Sequence, residues 1–305
     1  MKSKQTKMSI IIPAHNRAGL LSETLDSIFN QSFRDYEVIL VDDGSTDGTA
    51  DLIQKYLKKY PEKLRYVYQE KGGLCKARNR GIEEAGASHI AFLDSDDVAH
   101  TDWVNNLYRG FISTAERVMS GHCEGLSPRT YAQKVLVSHG NVGKIPAHRS
   151  PSRWLVGANM AFHKSVFDEV GLFDENIFHA DDLDIFWRIR KANIPVIYLR
   201  DAVVYYRPRE TVREILRQKF NYGYGKVILY RKHLDFRTTF FNDTVVYLKK
   251  MCLLAGRFVV RIFKFIFIKK YRHSHFVLSH LLAMTEKTAN YLGMTKARFQ
   301  YRIWP

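Results

Sequence analysis

The amino-acid sequence predicts an α/β fold in which a mostly parallel sheet is covered by helices on both faces. Through about the first hundred residues, short apolar segments alternate with segments of helical periodicity. The connections between them are short, which favours parallel strands joined by crossover helices. Polar residues directly follow the apolar segments, and in such sheets ligands bind beyond the carboxyl ends of the strands. The pattern therefore predicts a binding site as well as a fold.

Each element is predicted from the spacing of its apolar residues. The strands expected in the first hundred residues are 9–12, 37–41, 64–68 and 90–93, and the helices are 20–30, 52–57 and 75–85. Farther along, the spacing predicts helices 165–170 and 182–192 and a strand 194–199. Residues 120–155 contain scattered Gly, Pro, Ser and His and are interpreted as a connecting or lid segment. These patterns divide the chain into an α/β domain with halves 1–100 and 101–212 and a C-terminal basic amphipathic helical region, 213–305.

Positive charge is concentrated at the C-terminal end. The chain has 305 residues and a formal net charge of +16, and residues 201–305 contain 21 Lys and Arg against 6 Asp and Glu. This asymmetry predicts an anionic partner there, either a membrane surface or nucleic acid. The cysteines, Cys75, Cys123 and Cys252, are far apart and odd in number, which favours a reducing compartment. Core packing is the preferred interpretation for them, with a reactive Cys75 as the alternative.

An acidic run, Asp94-Ser95-Asp96-Asp97, directly follows the predicted strand 90–93. Like charges this close repel and raise one another's pKa, so folding alone does not favour them. A cation compensates such a cluster, and carboxylate oxygens suit Mg²⁺ or Mn²⁺. An isolated Asp-x-Asp is weak evidence, and an ordinary turn is the alternative.

Three further loops follow predicted strands. Residues 13–17 offer backbone donors and the aromatic face of His15. Asp42 or Asp43 could accept hydrogen bonds from a base or ribose, although Asp, Ser and Gly also favour helix-capping turns. Gly72 and Gly73 permit close backbone approach, and Lys76 and Arg78 could meet phosphate charge. Together with the acidic run, these loops predict a nucleotide-diphosphate pocket.

Asp181 and Asp182 stand at the start of the predicted helix 182–192. Carboxylates interact favourably with a helix N-terminus, so a structural role is one interpretation. The other is a general base, because an attacking hydroxyl needs a carboxylate within hydrogen-bond reach.

Taken in order, these motifs resemble those of family 2 glycosyltransferases, over roughly residues 8–225. The resemblance implies a GT-A fold with a Rossmann-like sheet. It also implies metal-dependent, inverting transfer of a hexose from a nucleotide-diphosphate sugar, UDP-type above others. The acceptor would be a hydroxyl of a glycan or lipid-linked molecule in cell-surface polysaccharide or glycoconjugate synthesis. Residues 1–100 would bind the nucleotide sugar, and residues 101–212 would bind the acceptor and carry catalysis. The motifs are Pro13-x-x-Asn16, Val41-Asp42-Asp43-Gly44-Ser45, Gly73 with Ala77-Arg78-Asn79, Leu93-Asp94-Ser95-Asp96-Asp97, Gly157-x-Asn159 and Asp181-Asp182.

The resemblance further implies roles for single residues. Asp182 would be the catalytic base, with Asp181, which stands where the family usually has Glu, as the alternative. Asp96, supported by Asp97, would bind Mn²⁺ or Mg²⁺. Processive members carry Gln-x-x-Arg-Trp, and residues 217–223 of this chain lack it, which favours addition of a single sugar. The residues assigned to the nucleotide are Pro13, Ala14, His15, Asn16, Arg17, Asp43, Gly73, Arg78, Asp94 and Ser95, and those assigned to the donor or acceptor sugar are Asn159, Trp154 and His179.

A basic stripe in the C-terminal region predicts membrane attachment. Lys250, Arg257, Arg261 and Lys264 lie at steps of seven, four and three, on one side of an otherwise apolar helix. Each Arg at the bilayer centre costs about 2.5–3.5 kcal/mol, so a helix lying in the interface is preferred to a spanning one. The other alternative is a helix packed on the protein. We expect a cytoplasmic protein, peripheral on the inner face of the plasma membrane, and leave its oligomeric state open.

Two functions compete with the transferase. One is a catalytically silent GT-A scaffold at the membrane, which the intact acidic residues disfavour. The other is nucleic-acid binding through the basic tail. Because the tail's aromatic residues are embedded among aliphatic ones, lipid is the preferred partner and no nucleic acid is expected. A sugar nucleotidyltransferase is disfavoured, because it would carry a Gly-rich basic loop after the first strand, and residues 14–17 of this chain are not such a loop.

Overall fold

A computed structural model of the chain describes residues 6–127, 130, 133, 155–233, 245, 247–249, 251–256 and 275–300. The chain divides into two compact units. The first contains Met1–Leu126, Gly143–Asn176 and Asp181–Arg207, and the second contains Ser127–Val142, Ile177–Ala180 and Pro208–Pro305. The division at 100 and 212 expected from the sequence stays a prediction.

The first unit is built on an eight-stranded sheet with the order β3-β2-β1-β4-β7-β6-β8-β5. Strands β1 to β4 pair in parallel, as predicted for the first hundred residues. Strand β7 is antiparallel to β4 and β6, β8 runs parallel to β6, and β5 pairs antiparallel with β8. The strands are Met8–Ala14 (β1), Tyr36–Asp43 (β2), Leu64–Gln69 (β3), His89–Phe92 (β4), Val98–Ala99 (β5), Val118–Gly125 (β6), Met160–His163 (β7) and Ile197–Tyr206 (β8).

Helices cover both faces of this sheet, which confirms the predicted α/β fold. Successive side chains of a strand point to opposite faces. Ile10 and Ile12 of β1 accordingly belong to one buried core with Leu25 and Trp103, whereas Ile11 belongs to the other core. The helices are Leu21–Phe29 (α1), Thr49–Lys59 (α2), Leu74–Glu84 (α3), Trp103–Thr114 (α4), Ser165–Val170 (α5) and Asp181–Lys191 (α6).

Strand β6 corrects the interpretation of residues 120–155 as a connecting or lid segment. Residues 120–125 belong to this strand. Gly121 made the segment look irregular, but its missing side chain is a packing requirement. A Cβ at this position would meet the side-chain amide of Asn159 at 2.2 Å. Residues 134–154 of the expected segment lie outside the described residues.

The second unit contains two long helices, Val212–His233 (α7) and His275–Gln300 (α8). Their backbones approach so closely that a Cβ on Gly223 would lie 1.9 Å from the carbonyl oxygen of Asn290. A Cβ on Gly293 would lie equally close to the carbonyl oxygen of Phe220. Among the described residues, no helix has the length and apolar character needed to cross a membrane. The predicted basic stripe, Lys250, Arg257, Arg261 and Lys264, lies outside the described residues.

Gly81 tests how α3 packs on the sheet. A Cβ there would lie 2.3 Å from Cγ2 of the buried Ile11. In an open helix, Gly→Ala is favourable by about 1 kcal/mol, but overpacking a core costs about 1–3 kcal/mol. We expect Gly81→Ala to lower the free energy of unfolding by roughly 1 kcal/mol, measured by chemical denaturation. Gly19→Ala is the control, since a Cβ there meets nothing within 4 Å. A stabilised Gly81→Ala variant would contradict this packing.

Candidate active site

The loops after β1 and β2 form one hydrogen-bonded structure at the carboxyl edge of the sheet. Asn16 has a φ of 53°, a left-handed conformation that Asn tolerates better than most residues. Its backbone N–H donates to Ser45 Oγ at 2.9 Å, and its Oδ1 accepts from the backbone N–H of Thr46 at 2.8 Å. Asp47 Oδ2 accepts from the backbone N–H of Ala18 at 3.2 Å. The two loops are therefore positioned together.

Asp43, the last residue of β2, anchors the glycine loop that precedes α3. Its Oδ1 accepts from the backbone N–H of Gly72 and from Gln69 Nε2, both at 2.7 Å. Its Oδ2 accepts from the backbone N–H of Gly73 at 2.8 Å. Gly73 has a φ of 94°, which favours glycine. The structure thus brings two of the predicted nucleotide residues, Asp43 and Gly73, into direct contact with each other.

The acidic run forms a tight turn after β4. The backbone N–H of Asp97 donates to the carbonyl oxygen of Asp94 at 3.1 Å, which closes the turn around the buried Ser95. One carboxylate oxygen from each of Asp94, Asp96 and Asp97 lies within 4.8 Å of the others. Three hard oxygen donors at this separation fit the requirements of Mg²⁺ or Mn²⁺.

Two arginines contact this turn from different elements. Arg17 Nη2 lies 3.7 Å from Asp96 Oδ2, and Arg78 Nη2 lies 3.2 Å from Asp94 Oδ1. Burial raises the pKa of Asp94 above its ordinary value, and the Arg78 charge opposes that rise. The acidic turn is therefore partly neutralised by the protein itself.

Arg78 is buried, with only 2% of its side chain exposed. Its Nη1 donates to Asp181 Oδ2, and its Nη2 donates to the carbonyl oxygen of Gly157 at 3.1 Å as well as to Asp94. The guanidinium lies 5.8 Å from the ring centre of Phe92 and 5.5 Å from that of Phe173. The sequence placed Arg78 beside a diphosphate, whereas the structure directs its charge into carboxylates of the protein.

Asp181 and Asp182, at the start of α6, have different surroundings. Asp181 is bonded to Arg78, whereas Asp182 Oδ2 accepts from the backbone N–H of Gly157 at 3.2 Å. Asp182 Oδ1 accepts from the backbone N–H of Leu183 at 2.8 Å. Burial and then the charge of Asp181 raise the pKa of Asp182 to about 6, against an opposing effect of Arg78. Adjacent carboxylates with such different environments are typical of acid–base sites.

Asn159 lies in the protein interior, which corrects its assignment to a sugar. Its side chain has no exposed surface. Its Oδ1 accepts from Trp103 Nε1 at 2.8 Å, and its Nδ2 donates to the carbonyl oxygens of His122 and Ala202, both at 2.8 Å. These bonds join β6, β7, β8 and α4 behind the site. His179 belongs to the second unit, and Trp154 lies outside the described residues.

Comparison with known proteins agrees with this geometry. The family model "Glycosyl transferase family 2" matches residues 9–171, more than half of the chain. The chain belongs to glycosyl transferase family 2. The chain is 28% identical over 244 residues to validoxylamine A glucosyltransferase of Streptomyces hygroscopicus subsp. jinggangensis, covering 68% of this chain. The chain spans only 57% of that relative's length.

Solved structures share the fold of this chain. The mannosyltransferase PcManGT from Pyrobaculum calidifontis, in complex with GDP-Man and Mn²⁺, superposes with a TM-score of 0.63 at 19% identity, covering 98% of this chain and 88% of that one. S. aureus TarS 1–349, in complex with UDP-GlcNAc, superposes with a TM-score of 0.54 at 18% identity, covering 96% and 92%. At these identities the likeness confirms the GT-A fold.

Several residues of the candidate site have no signal in the sequence. Arg207 binds the acidic turn, Glu23 binds Arg207, and Trp103 binds Asn159. The partners of Arg207 are separated from it by 111 and 184 residues. The alternative of a reactive Cys75 is disfavoured, because burial, and then the charge of Asp181, raise the pKa of its thiol to about 12.

Proposed function

We propose that the protein is an inverting glycosyltransferase that moves one hexose from a nucleotide-diphosphate sugar to a hydroxyl of a glycan or lipid-linked acceptor. The observation that carries the proposal is the Arg78 network. It links Asp94 of the acidic turn, which lies within the family-matched residues 9–171, to Asp181, the neighbour of Asp182. The acidic turn offers donor binding, and Asp182 offers a base, at one edge of one sheet.

The donor half of the proposal rests on the three loops that meet at this edge. The residues proposed to surround the nucleotide are Pro13, Ala14, His15, Asn16, Arg17, Asp43, Gly73, Asp94 and Ser95. PcManGT binds GDP-Man and TarS 1–349 binds UDP-GlcNAc, which supports a nucleotide sugar as the donor. The candidate nucleotides are therefore UDP and GDP. UDP is our first choice and GDP the second.

The acidic turn would hold the divalent ion, with Asp96 as principal ligand and Asp97 in support. When bound, such an ion would supply positive charge that offsets the negative charge developing on the diphosphate leaving group. Arg17, whose guanidinium lies near Asp96, adds positive charge at the same place. Asp94 is then left to accept a hydrogen bond from the ribose.

Asp182 is proposed as the general base. The acceptor oxygen attacks the anomeric carbon as its proton passes to the Asp182 carboxylate. The bond from that carbon to the diphosphate oxygen breaks at the same time, and one displacement inverts the centre. With a pKa of about 6, Asp182 is mostly ionised at neutral pH and still basic enough to take a proton. Asp181 is engaged by Arg78, so it holds the network and is the less suitable base.

A silent scaffold would not need a carboxylate whose pKa is raised toward neutrality beside a cation-binding turn. Membrane attachment through the basic C-terminal region stays a prediction, as does the cytoplasmic inner-face location, because the stripe lies outside the described residues. Liposome flotation set against a nucleic-acid gel shift separates lipid from nucleic acid as its partner.

Asp182→Asn tests the base. We expect sugar transfer to fall by about 10²–10⁴-fold while affinity for the nucleotide changes little. Because burial raises this pKa, the wild-type kcat/KM is highest above pH 6 and falls as pH drops through about 6. This acid limb should be absent from the residual activity of Asp182→Asn.

Asp168→Asn, on an exposed residue of α5, is the matched control and keeps full activity and the acid limb. Equal losses of transfer and nucleotide binding in Asp182→Asn would remove Asp182 as the base.

Asp96→Ala tests the cation. In a thermal-shift screen of nucleotide sugars, we expect the wild type to be stabilised by its donor with Mn²⁺ and much less without it. Asp96→Ala should lose the Mn²⁺-dependent part, because the proposed principal ligand is gone. Asp51→Ala, on the exposed side of α2, should behave as the wild type. Unchanged Mn²⁺-dependent affinity in Asp96→Ala would exclude Asp96 as a ligand.

A further inference from the structure

The acidic turn is held by a residue from the far end of the first unit. Arg207 directly follows β8 and is buried. Its backbone N–H donates to Asp97 Oδ1 at 3.0 Å, and its Nε donates to the carbonyl oxygen of Asp96 at 3.1 Å. Its Nη2 donates to Glu23 Oε2 at 2.6 Å. Arg207 therefore binds the turn through its backbone and its side chain together.

Strand register brings Arg207 to this place. Val98 of β5 pairs with Tyr205 of β8, and Ala99 pairs with Val204. In an antiparallel ladder, each step back along one strand matches a step forward along the other. Counting two residues back from Val98 and two residues forward from Tyr205 places Arg207 opposite Asp96, just before the ladder begins. The turn is thereby fixed at both ends, by β4 on one side and by β8 on the other.

The bonds of Arg207 differ in kind from those of the other arginines at the turn. Arg17 and Arg78 face carboxylate oxygens of Asp96 and Asp94. Arg207 directs its Nε to the backbone carbonyl of Asp96, so this bond uses no carboxylate oxygen. Its positive charge is balanced instead by Glu23, in the first turn of α1. The side-chain contact thus holds the backbone of the turn without occupying the Asp96 carboxylate.

We propose that Arg207, oriented by Glu23, is a positioning residue that sets the directions of the Asp96 and Asp97 carboxylates. Fixing the backbone of Asp96 and one oxygen of Asp97 reduces the number of arrangements that three repelling carboxylates adopt. Cation binding then does not have to order the turn, so affinity is higher. The metal part of this inference rests on the proposed function, whereas the rigidity of the turn does not.

Amide hydrogen exchange of the ligand-free protein tests the rigidity. The Asp97 N–H, which closes the turn, should exchange roughly tenfold faster in Arg207→Met and less so in Arg207→Lys. Arg65→Met is the control, because Arg65 is a half-exposed arginine of β3 that pairs with Glu37 and Glu84. It should leave this amide unchanged.

An unchanged Asp97 amide in folded Arg207→Met would overturn the inference. Should that variant fail to fold, Glu23→Gln decides, because it keeps an acceptor for Arg207 and removes only the charge. We expect a roughly threefold faster exchange there, and wild-type exchange would count against the proposed role of Glu23.

Binding of Mn²⁺ alone, followed through the paramagnetic resonance signal of the free ion, tests the positioning. Arg207→Met should bind Mn²⁺ about tenfold more weakly than the wild type, Arg207→Lys should recover part of the loss, and Arg65→Met should match the wild type. Equal affinity in wild type and Arg207→Met would overturn the positioning role. A wild type that binds no Mn²⁺ would instead overturn the metal part of the proposed function, and the exchange result would still decide whether Arg207 orders the turn.

Discussion

The buried ion-pair network of Arg78 is the interaction on which the rest of the site depends. Its guanidinium joins the acidic turn after β4 to the start of α6 and to the backbone of Gly157. Removing a guanidinium from water is costly unless its charge and its N–H groups are compensated. Two carboxylates, a carbonyl oxygen and two aromatic rings compensate the charge and the two terminal nitrogens, whereas the buried Nε has no hydrogen-bond partner among the described residues. The Arg78 guanidinium therefore holds the acidic turn and the start of α6 in one geometry.

Two further carboxylates at this edge of the sheet, those of Asp43 and Asp97, are also held by donors from other parts of the chain. Asp43 is held by backbone N–H groups of the glycine loop, and Asp97 is held by the backbone of Arg207. In each case a carboxylate that its sequence neighbours would repel is stabilised by donors from another element. Folding thus orients the carboxylates before any substrate arrives, which is a requirement of electrostatic preorganisation.

The fold could largely be predicted from the sequence, because apolar residues recur at strand and helix spacing through about the first hundred residues. Strands β1 to β4 and helices α1 to α3 lie within a few residues of their predicted positions, and Asp94 follows its strand as expected. Strand β6 was missed, because the reason for Gly121 lies in the amide of Asn159 rather than in its neighbours along the chain.

The hydrogen bonds among the candidate site residues could not be predicted from the sequence. The motif Gly157-x-Asn159 draws attention to Asn159, but it does not show that the side-chain amide faces inward, toward Trp103. Likewise, the partner of Arg78 lies 103 residues away, and no local pattern reports such a distance. Asp182 was selected through the family's motif. In the structure Arg78 engages Asp181, whereas burial and then the charge of Asp181 raise the pKa of Asp182 to about 6.

A double-mutant cycle on Arg78 and Asp181 tests most directly whether this network holds the site together. Arg78→Met and Asp181→Asn are each expected to lower the free energy of unfolding by about 3–5 kcal/mol, because each leaves a buried charge uncompensated. The double variant should lose about 2–3 kcal/mol less than the two single losses combined, as for residues that interact directly. Losses that add to within about 0.5 kcal/mol would contradict the account, since the two groups would then be energetically independent.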